Sequence, residues 1–192
     1  IANLTAAVQS NVKRMLAFSS ISHAAFMLMI ILANVRSNLS VNAILYYSLA
    51  YSIGSITSFG ILQQVTTYGN ETIDKFNGLF KTKPFLAICM TIAMLSLSGI
   101  PITAGFFAKY FVFTAMMQAS THNWVLILAA LTSAIGVYYY FKIIIAMFFR
   151  EPEGESNIEA DASSNTVIAL TTIVTIIIGI VPGVIAEMFS VV

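Results

Sequence analysis

Charged residues are scarce in this sequence, and their scarcity sets the class of protein. Only 9% of the 192 residues are charged, whereas 58% are hydrophobic, and the mean hydropathy is +0.88. A soluble domain is about a quarter charged. A chain this apolar cannot keep its hydrophobic surface out of water as a globule, so we expect a membrane protein. With a net charge of +1, the sequence also lacks the basic excess that nucleic-acid binding needs, so we expect no nucleic-acid partner.

Residues that bind metals and redox groups are equally few. Cys89 is the single cysteine and lies within an apolar run, which excludes a disulfide framework and a cysteine-rich metal site. The two histidines form no metal-spaced cluster, and no glycine-rich phosphate-binding loop or Ser-His-Asp arrangement is visible. We therefore expect this chain to bind no metal and no cofactor, and to carry out no redox chemistry itself.

Long apolar segments dominate what is present. Five of them are long enough to cross a hydrocarbon core, and backbone groups in lipid must be satisfied internally, which favours helices. We predict an all-α polytopic membrane protein with a single domain over residues 1–192 and helices at about 15–33, 41–62, 85–117, 124–149 and 166–189. The third segment would be about 50 Å long as one helix, so we expect it to be tilted or broken.

The linker cations are distributed unevenly between the two sides of the membrane. If the five segments alternate in direction, Arg36 alone lies on one side. The other side receives Lys13, Arg14, Lys75, Lys81, Lys83 and Arg150. The positive-inside rule makes this second side cytoplasmic.

The third segment contains "LSLSGIPITAGFFAKYFVF", residues 95–113, in which an apolar run is interrupted. Pro101 cannot donate a hydrogen bond to the carbonyl of Leu97, while Gly99 and Gly105 add backbone freedom. The pattern predicts a break near Pro101, either a plain proline kink or an interrupted helix. Interrupted helices form the ion sites of many transporters.

Lys109 follows eight residues after Pro101, far from both ends of the segment. A lysine ammonium at this depth costs about 2.5–3.5 kcal/mol or more, and such residues usually mark ion or proton pathways. The alternative is a lysine whose long side chain reaches the membrane surface. We interpret Lys109 as a proton-transfer residue.

His23, with two serines close before it, is a second candidate for proton transfer. His23 lies near the middle of the first segment, and Ser19 and Ser20 precede it on the same helical face. Histidine titrates near neutral pH and can relay protons. It could equally form a structural hydrogen bond between helices.

Three further residues are candidates with structural alternatives. Lys142 lies about seven residues from the cytoplasmic end of the fourth segment and could reach the surface. Lys13 lies at the cytoplasmic mouth and could simply anchor the first segment. Tyr139 belongs to a run of three tyrosines that point in different directions on a helix, so at most two of them face one water path.

Three stretches resemble the antiporter-like subunits of complex I, which form the proton-pumping arm of NADH:quinone oxidoreductase. These are "NVKRMLAFSSISHAAFMLM" (residues 11–29), the 95–113 stretch, and "SAIGVYYYFKIIIAMFFREP" (residues 133–152). The last is similar to the subunit-2 type, called N in bacteria, where three tyrosines precede a basic residue. The sequence departs from the family pattern at Ala25 and Phe26, where glycine and tyrosine are usual, and at Ile102, where a second proline is usual.

The resemblance implies a fold of fourteen helices with two inverted repeats, each containing one interrupted helix. This chain would correspond to the end of helix nine and helices ten to fourteen. Lys109 falls on the lysine of the broken helix, His23 on a histidine of helix ten, Lys13 on the lysine of a Lys-Arg pair, and Lys142 on a basic position of helix thirteen. The first repeat, with its own lysine and glutamate, is not in this sequence, so we expect this segment not to pump alone.

The function implied is proton translocation coupled to electron transfer from NADH to quinone. FMN, iron–sulfur clusters, NADH and quinone are expected to bind to other subunits, and the partners would be other membrane subunits and the lipid bilayer. We expect a bacterial inner membrane, with a thylakoid or mitochondrial membrane as the alternative. A subunit of a multi-subunit Na+/H+ antiporter and a membrane scaffold without transport are the competing interpretations.

Overall fold

The computed structural model describes residues 1–32, 38–66, 69–119, 123–152 and 162–183. Within these ranges the chain is helical, with an isolated bridge between Asn11 and Thr72 and no strand. The α-helices are α1 (Ala2–Ala7), α2 (Val12–Leu32), α3 (Asn38–Val65), α4 (Leu79–Thr82), α5 (Pro84–Ser98), α6 (Ala104–Ala119), α7 (Asn123–Phe149) and α8 (Ala162–Ile180). A short 3-10 helix, Ile73–Phe76, precedes α4. The prediction of an all-α fold is confirmed.

Among the described residues, four helices, α2, α3, α7 and α8, are long and apolar enough to cross a membrane. They correspond to the first, second, fourth and fifth predicted segments. Residue 33 and residues 184–189 of the predicted helices lie outside the described residues, as does Arg36. The chain is a multi-pass membrane protein.

The third predicted segment is broken, as expected, into α5 and α6. Gly99 adopts φ 85°, a left-handed conformation that glycine reaches without strain. Its N–H donates to Ser96 O (2.9 Å) and the N–H of Ile100 donates to Leu95 O (3.0 Å), which is the Schellman pattern of a helix end. The helix therefore stops at a glycine two residues before Pro101, so the break is an interruption rather than a proline kink.

The helices pack around α3, which contacts α2, α5, α6 and α8, while α7 lies against α5 and α1. The buried side chains form two groups. One, nearer the charged linkers, includes Met90 and Ile143; the other, in the opposite half, includes Tyr46 and Val112. Large apolar side chains such as Ile173 remain on the outside of the bundle, where a membrane protein meets lipid.

The charged linkers meet at one end of the bundle, which we call the linker end. The described residues form ion pairs there: Lys13–Glu71 (3.5 Å), Lys81–Glu151 (2.7 Å) and Arg150–Asp74 (3.5 Å). The structure thus brings together cations that the sequence assigned to one side of the membrane.

Glu71 ties the start of α2 to the linker after α3. Its carbonyl accepts the N–H of Val12 (2.7 Å), and its carboxylate accepts hydrogen bonds from the Asn11 amide (3.2 Å) and the Gly69 N–H (3.3 Å). Burial raises the pKa of Glu71, but these hydrogen bonds and the nearby Lys13 ammonium outweigh it and leave the pKa below its usual value.

Candidate functional site

Lys109 is buried in the middle of the bundle, with 8% of its surface exposed. Its Nζ donates one hydrogen bond to Ser98 O (2.7 Å) and another to Ser133 Oγ (2.8 Å), and it lies 5.4 Å from the centre of the Phe26 ring. The side chain does not extend to the membrane surface. Lys109 is therefore held inside the protein by one carbonyl, one hydroxyl and one aromatic ring.

The helix break creates this position for the lysine. A Cβ atom at Gly99 would lie 2.8 Å from Lys109 Cδ, so the lysine side chain packs directly against this glycine and would have to shift for any larger residue. A Cβ atom at Gly105 would collide with the carbonyl of Ser96, so Gly105 lets α6 begin close against the last turn of α5. Ser98 O lies at the C-terminus of α5, where the helix dipole is negative and favours a cation.

No carboxylate lies beside Lys109 among the described residues. The acidic residues in those ranges are Glu71, Asp74 and Glu151, and all three belong to the linker end. Within the described part of the chain, the charge of a protonated Lys109 is stabilised by the Ser98 carbonyl, the Ser133 hydroxyl and the Phe26 ring. Such an arrangement suits a group that must release its proton as well as bind it, because a counter-ion would fix the charge.

His23 is also buried, with 7% of its surface exposed, and tyrosine hydroxyls contact both of its ring nitrogens. Nδ1 lies 2.9 Å from the hydroxyl of Tyr47, and Nε2 lies 3.1 Å from the hydroxyl of Tyr140. The Tyr140 hydroxyl is in turn hydrogen-bonded to Ser19 Oγ. The ring of Tyr51 lies against the imidazole with 4.8 Å between centroids.

His23 lines two small cavities, each of about 10 Å³, which is roughly the room that one water molecule needs. The first lies toward the helix break and is lined in part by Tyr47, Ser96 and Gly105. The second is lined in part by Lys109 and Ser133 as well as His23. Lys109 and His23 therefore face one polar cavity between α2, α6 and α7.

The remaining predicted residues lie at different distances from this cavity. The Tyr139 hydroxyl lines it and donates to Asn3 Oδ1 (3.0 Å). Lys142 is half-buried one turn nearer the linker end, where its Nζ donates to the carbonyl of Gln9 (3.3 Å). Lys13 is at the surface in its ion pair. Ser20 does not join the cluster, because its hydroxyl donates to the Ala17 carbonyl of its own helix (2.7 Å).

Several polar residues of the site, among them Asn3, Tyr47, Ser133 and Tyr140, were not among the predicted site residues. Ser133 and Tyr140 lie seven residues apart on α7 with Gly136 between them, on one helical face. These residues form a small polar stripe on an otherwise apolar helix, a pattern that could have been recognised in the sequence. Asn3 gave no comparable pattern, whereas Tyr47 shares its face of α3 with Tyr51, four residues later, which lines the same cavity.

The site has the groups to move protons and, within the described ranges, no means of holding a metal. No three His, Cys, Asp or Glu side chains come together there to ligate an ion. Instead, the Lys109 amine, the His23 imidazole and several hydroxyl groups line a cavity that is about the size of one water molecule. These groups exchange protons readily and can pass them along hydrogen bonds.

Comparison with known proteins shows the family to which the chain belongs. The family model described as NADH:quinone oxidoreductase/Mrp antiporter, TM, matches residues 1–136. NADH-quinone oxidoreductase subunit N of Flavobacterium psychrophilum is 42% identical over 192 residues, which cover 98% of this chain and 40% of the relative.

Solved structures agree with this result. A chain of respiratory complex I from Thermus thermophilus with bound aureothin superposes with a TM-score of 0.82 at 31% identity, over 97% of this chain and 42% of that one. A chain of the Mrp complex from Dietzia sp. has a TM-score of 0.84 at 19% identity over 98% of this chain and 43% of that one, which shows a shared fold. The chain spans about two-fifths of the length of the relatives it matches.

Proposed function

Because the chain belongs to the family of NADH:quinone oxidoreductase/Mrp antiporter transmembrane subunits, we propose that it translocates protons as part of subunit N of an NADH-quinone oxidoreductase. The identity of 42% to a subunit of that name supports the assignment. The proton path runs through Lys109 and His23, with Lys142 on its route toward the linker end and Lys13 at its mouth.

The observation that carries this proposal is the burial of Lys109 at the break between α5 and α6. A lysine held by Ser98 O and Ser133 Oγ, without a carboxylate among the described residues, can accept a proton from one side and release it to the other. A purely structural lysine in a membrane would gain from a counter-ion or from reaching the surface.

The proposal includes partners and a location. The chain works beside other membrane subunits in a lipid bilayer, in our proposal a bacterial inner membrane. NADH, FMN, the iron–sulfur clusters and quinone bind to other subunits, so electron transfer drives proton movement from a distance.

The test uses inverted membrane vesicles from cells that make the full-length protein or lack it. We expect NADH to drive both quinone reduction and acidification of the vesicle interior when the protein is present, and the acidification to be lost without it. Unchanged NADH-driven acidification in its absence would contradict the proposal. Proton exchange that needs sodium but not NADH would instead support an Na+/H+ antiporter, whose fold the Dietzia complex shares.

A further inference from the structure

We propose that Ser19, Tyr140, His23 and Tyr47 form one reversible proton wire, in which the two tyrosine hydroxyls are the direct proton-transfer partners of the histidine. The inference rests on the proposed function and goes further, because it assigns roles to Tyr47 and Tyr140. It also states how a proton passes the imidazole.

The contacts form an unbroken chain across three helices. Ser19 and His23 lie one turn apart on α2, Tyr140 comes from α7 and Tyr47 from α3. The hydrogen bonds run from Ser19 to Tyr140, from Tyr140 to His23 Nε2 (3.1 Å), and from His23 Nδ1 to Tyr47 (2.9 Å). Three of the four side chains are at most 2% exposed, so bulk water does not replace these bonds.

A neutral imidazole bonded at both nitrogens must donate from one and accept at the other. This requirement gives the chain two orientations. In the first, Tyr47 donates to Nδ1, Nε2–H donates to Tyr140, and Tyr140 donates to Ser19. In the second, every donor and acceptor is exchanged and the imidazole is the other tautomer. The two orientations use the same side-chain positions.

Passage of one proton converts the first orientation into the second. A proton binds the Tyr47 oxygen while the original Tyr47 proton moves to Nδ1, and the Nε2 proton moves to Tyr140. The original Tyr140 proton moves to Ser19, whose own hydroxyl proton leaves to a water molecule. Each O–H or N–H bond that breaks is matched by one that forms, so one proton enters and one leaves. Passage of one proton in the opposite direction returns the chain to the first orientation, so the wire is reversible.

The middle of the wire, at His23 and Tyr140, borders the cavity that Lys109 lines, whereas its Tyr47 end lines the cavity at the helix break. His23 and Tyr140 line the lysine cavity together with Lys109, and its volume of about 10 Å³ fits one water molecule that could connect them. Ser19, at the other end, lies on α2 one turn closer to the linker end than His23. The wire therefore offers a route from the cavity at the helix break toward the linker end of the bundle, and it passes the lysine cavity at His23 and Tyr140.

The experiment removes single hydroxyl groups in the full-length protein within its native complex. Tyr140→Phe and Tyr47→Phe keep the ring and its packing but break the wire. We expect protons transported per NADH oxidised to fall to the level of Lys109→Ala, while quinone reduction and the amount of assembled complex are retained. Tyr46→Phe is the matched control: Tyr46 is equally buried, but its hydroxyl donates to the Ile178 carbonyl (3.0 Å) and touches neither cavity.

Each outcome decides between the proposals. Loss of transport in both wire variants but not in Tyr46→Phe supports the wire. Normal transport in Tyr140→Phe and Tyr47→Phe, with loss in Lys109→Ala, overturns the wire and leaves the proposed function standing. An equal loss in Tyr46→Phe also overturns it, because any buried hydroxyl would then matter. Normal transport in Lys109→Ala and in both wire variants overturns the proposed proton path, and the wire with it.

A spectroscopic readout separates a relay from packing. A neutral histidine with one remaining partner places its N–H on the nitrogen that keeps that partner, since an unsatisfied buried donor is costly. Nitrogen NMR of labelled histidine should therefore show the Nε2–H tautomer in Tyr47→Phe and the Nδ1–H tautomer in Tyr140→Phe. The same tautomer in both variants would refute the reversible orientation.

Discussion

Replacement of Gly99 by alanine should disable Lys109 without touching it directly. At φ 85°, a residue with a Cβ atom is strained by roughly 1–2 kcal/mol. The new methyl group would also lie 2.8 Å from Lys109 Cδ and 3.2 Å from Nζ, so the end of the lysine side chain must shift, and we expect this shift to break its bond to Ser98 O. A hydrogen bond from a charged group contributes roughly 1.5–3 kcal/mol. We expect a total loss of stability of about 2.5–5 kcal/mol.

Gly69 provides a control with the same backbone conformation. It has φ 86°, but an added Cβ atom would meet nothing within 4 Å. Gly69→Ala should therefore cost only the backbone strain, roughly 1–2 kcal/mol. The assays are thermal denaturation of the purified complex and protons transported per NADH. Proton transport should fall in Gly99→Ala and stay normal in Gly69→Ala. Equal stability losses with normal transport in both variants would refute the claim that Gly99 makes room for the lysine.

Other predictions follow from single contacts. Ile102 has φ 78°, so Ile102→Gly should raise the denaturation midpoint by relieving roughly 1–2 kcal/mol of strain, whereas Ile102→Pro, which cannot adopt that angle, should lower it. The Tyr46 hydroxyl donates a hydrogen bond to the Ile178 carbonyl, which receives no helical hydrogen bond because Pro182 has no N–H. Tyr46→Phe should therefore lower the free energy of unfolding by about 1–3 kcal/mol. The loss should be smaller in a Pro182→Ala background, where the alanine N–H can donate to that carbonyl. Because the pKa of Glu71 is lowered on folding, its carboxylate stabilises the fold above its usual pKa of 4.5, and this contribution should disappear as the pH falls through the lowered value. Acid titration of unfolding should show a smaller pH dependence for Glu71→Gln; an unchanged titration would contradict that role.

The sequence contained enough to predict the architecture and the central lysine. Long apolar runs can only be helices in lipid, and a cation far from both ends of such a run has few roles other than a functional one. The break near Pro101 could also be predicted. Its form could not, because whether Gly99 or Pro101 ends the helix depends on which backbone conformation lets Lys109 pack.

The partners of His23 could not be predicted from local patterns. Tyr140 lies 117 residues away in the sequence and Tyr47 lies 24 residues away, on two other helices. Hydroxyl groups are common in these helices, and nothing local distinguishes Tyr47 from its neighbour Tyr46. The two serines before His23 looked equivalent on helical spacing, yet Ser20 bonds its own backbone while Ser19 bonds Tyr140. Such choices depend on the rotation of whole helices about their axes.

The most direct test of the account is proton transport measured against quinone reduction in vesicles that contain the assembled complex with Lys109→Ala in the full-length protein. The account predicts fewer protons transported per NADH oxidised, with the complex assembled and quinone reduction retained. Normal transport at a normal rate of quinone reduction would contradict it, because Lys109 would then be a structural residue of the broken helix and not part of the proton path.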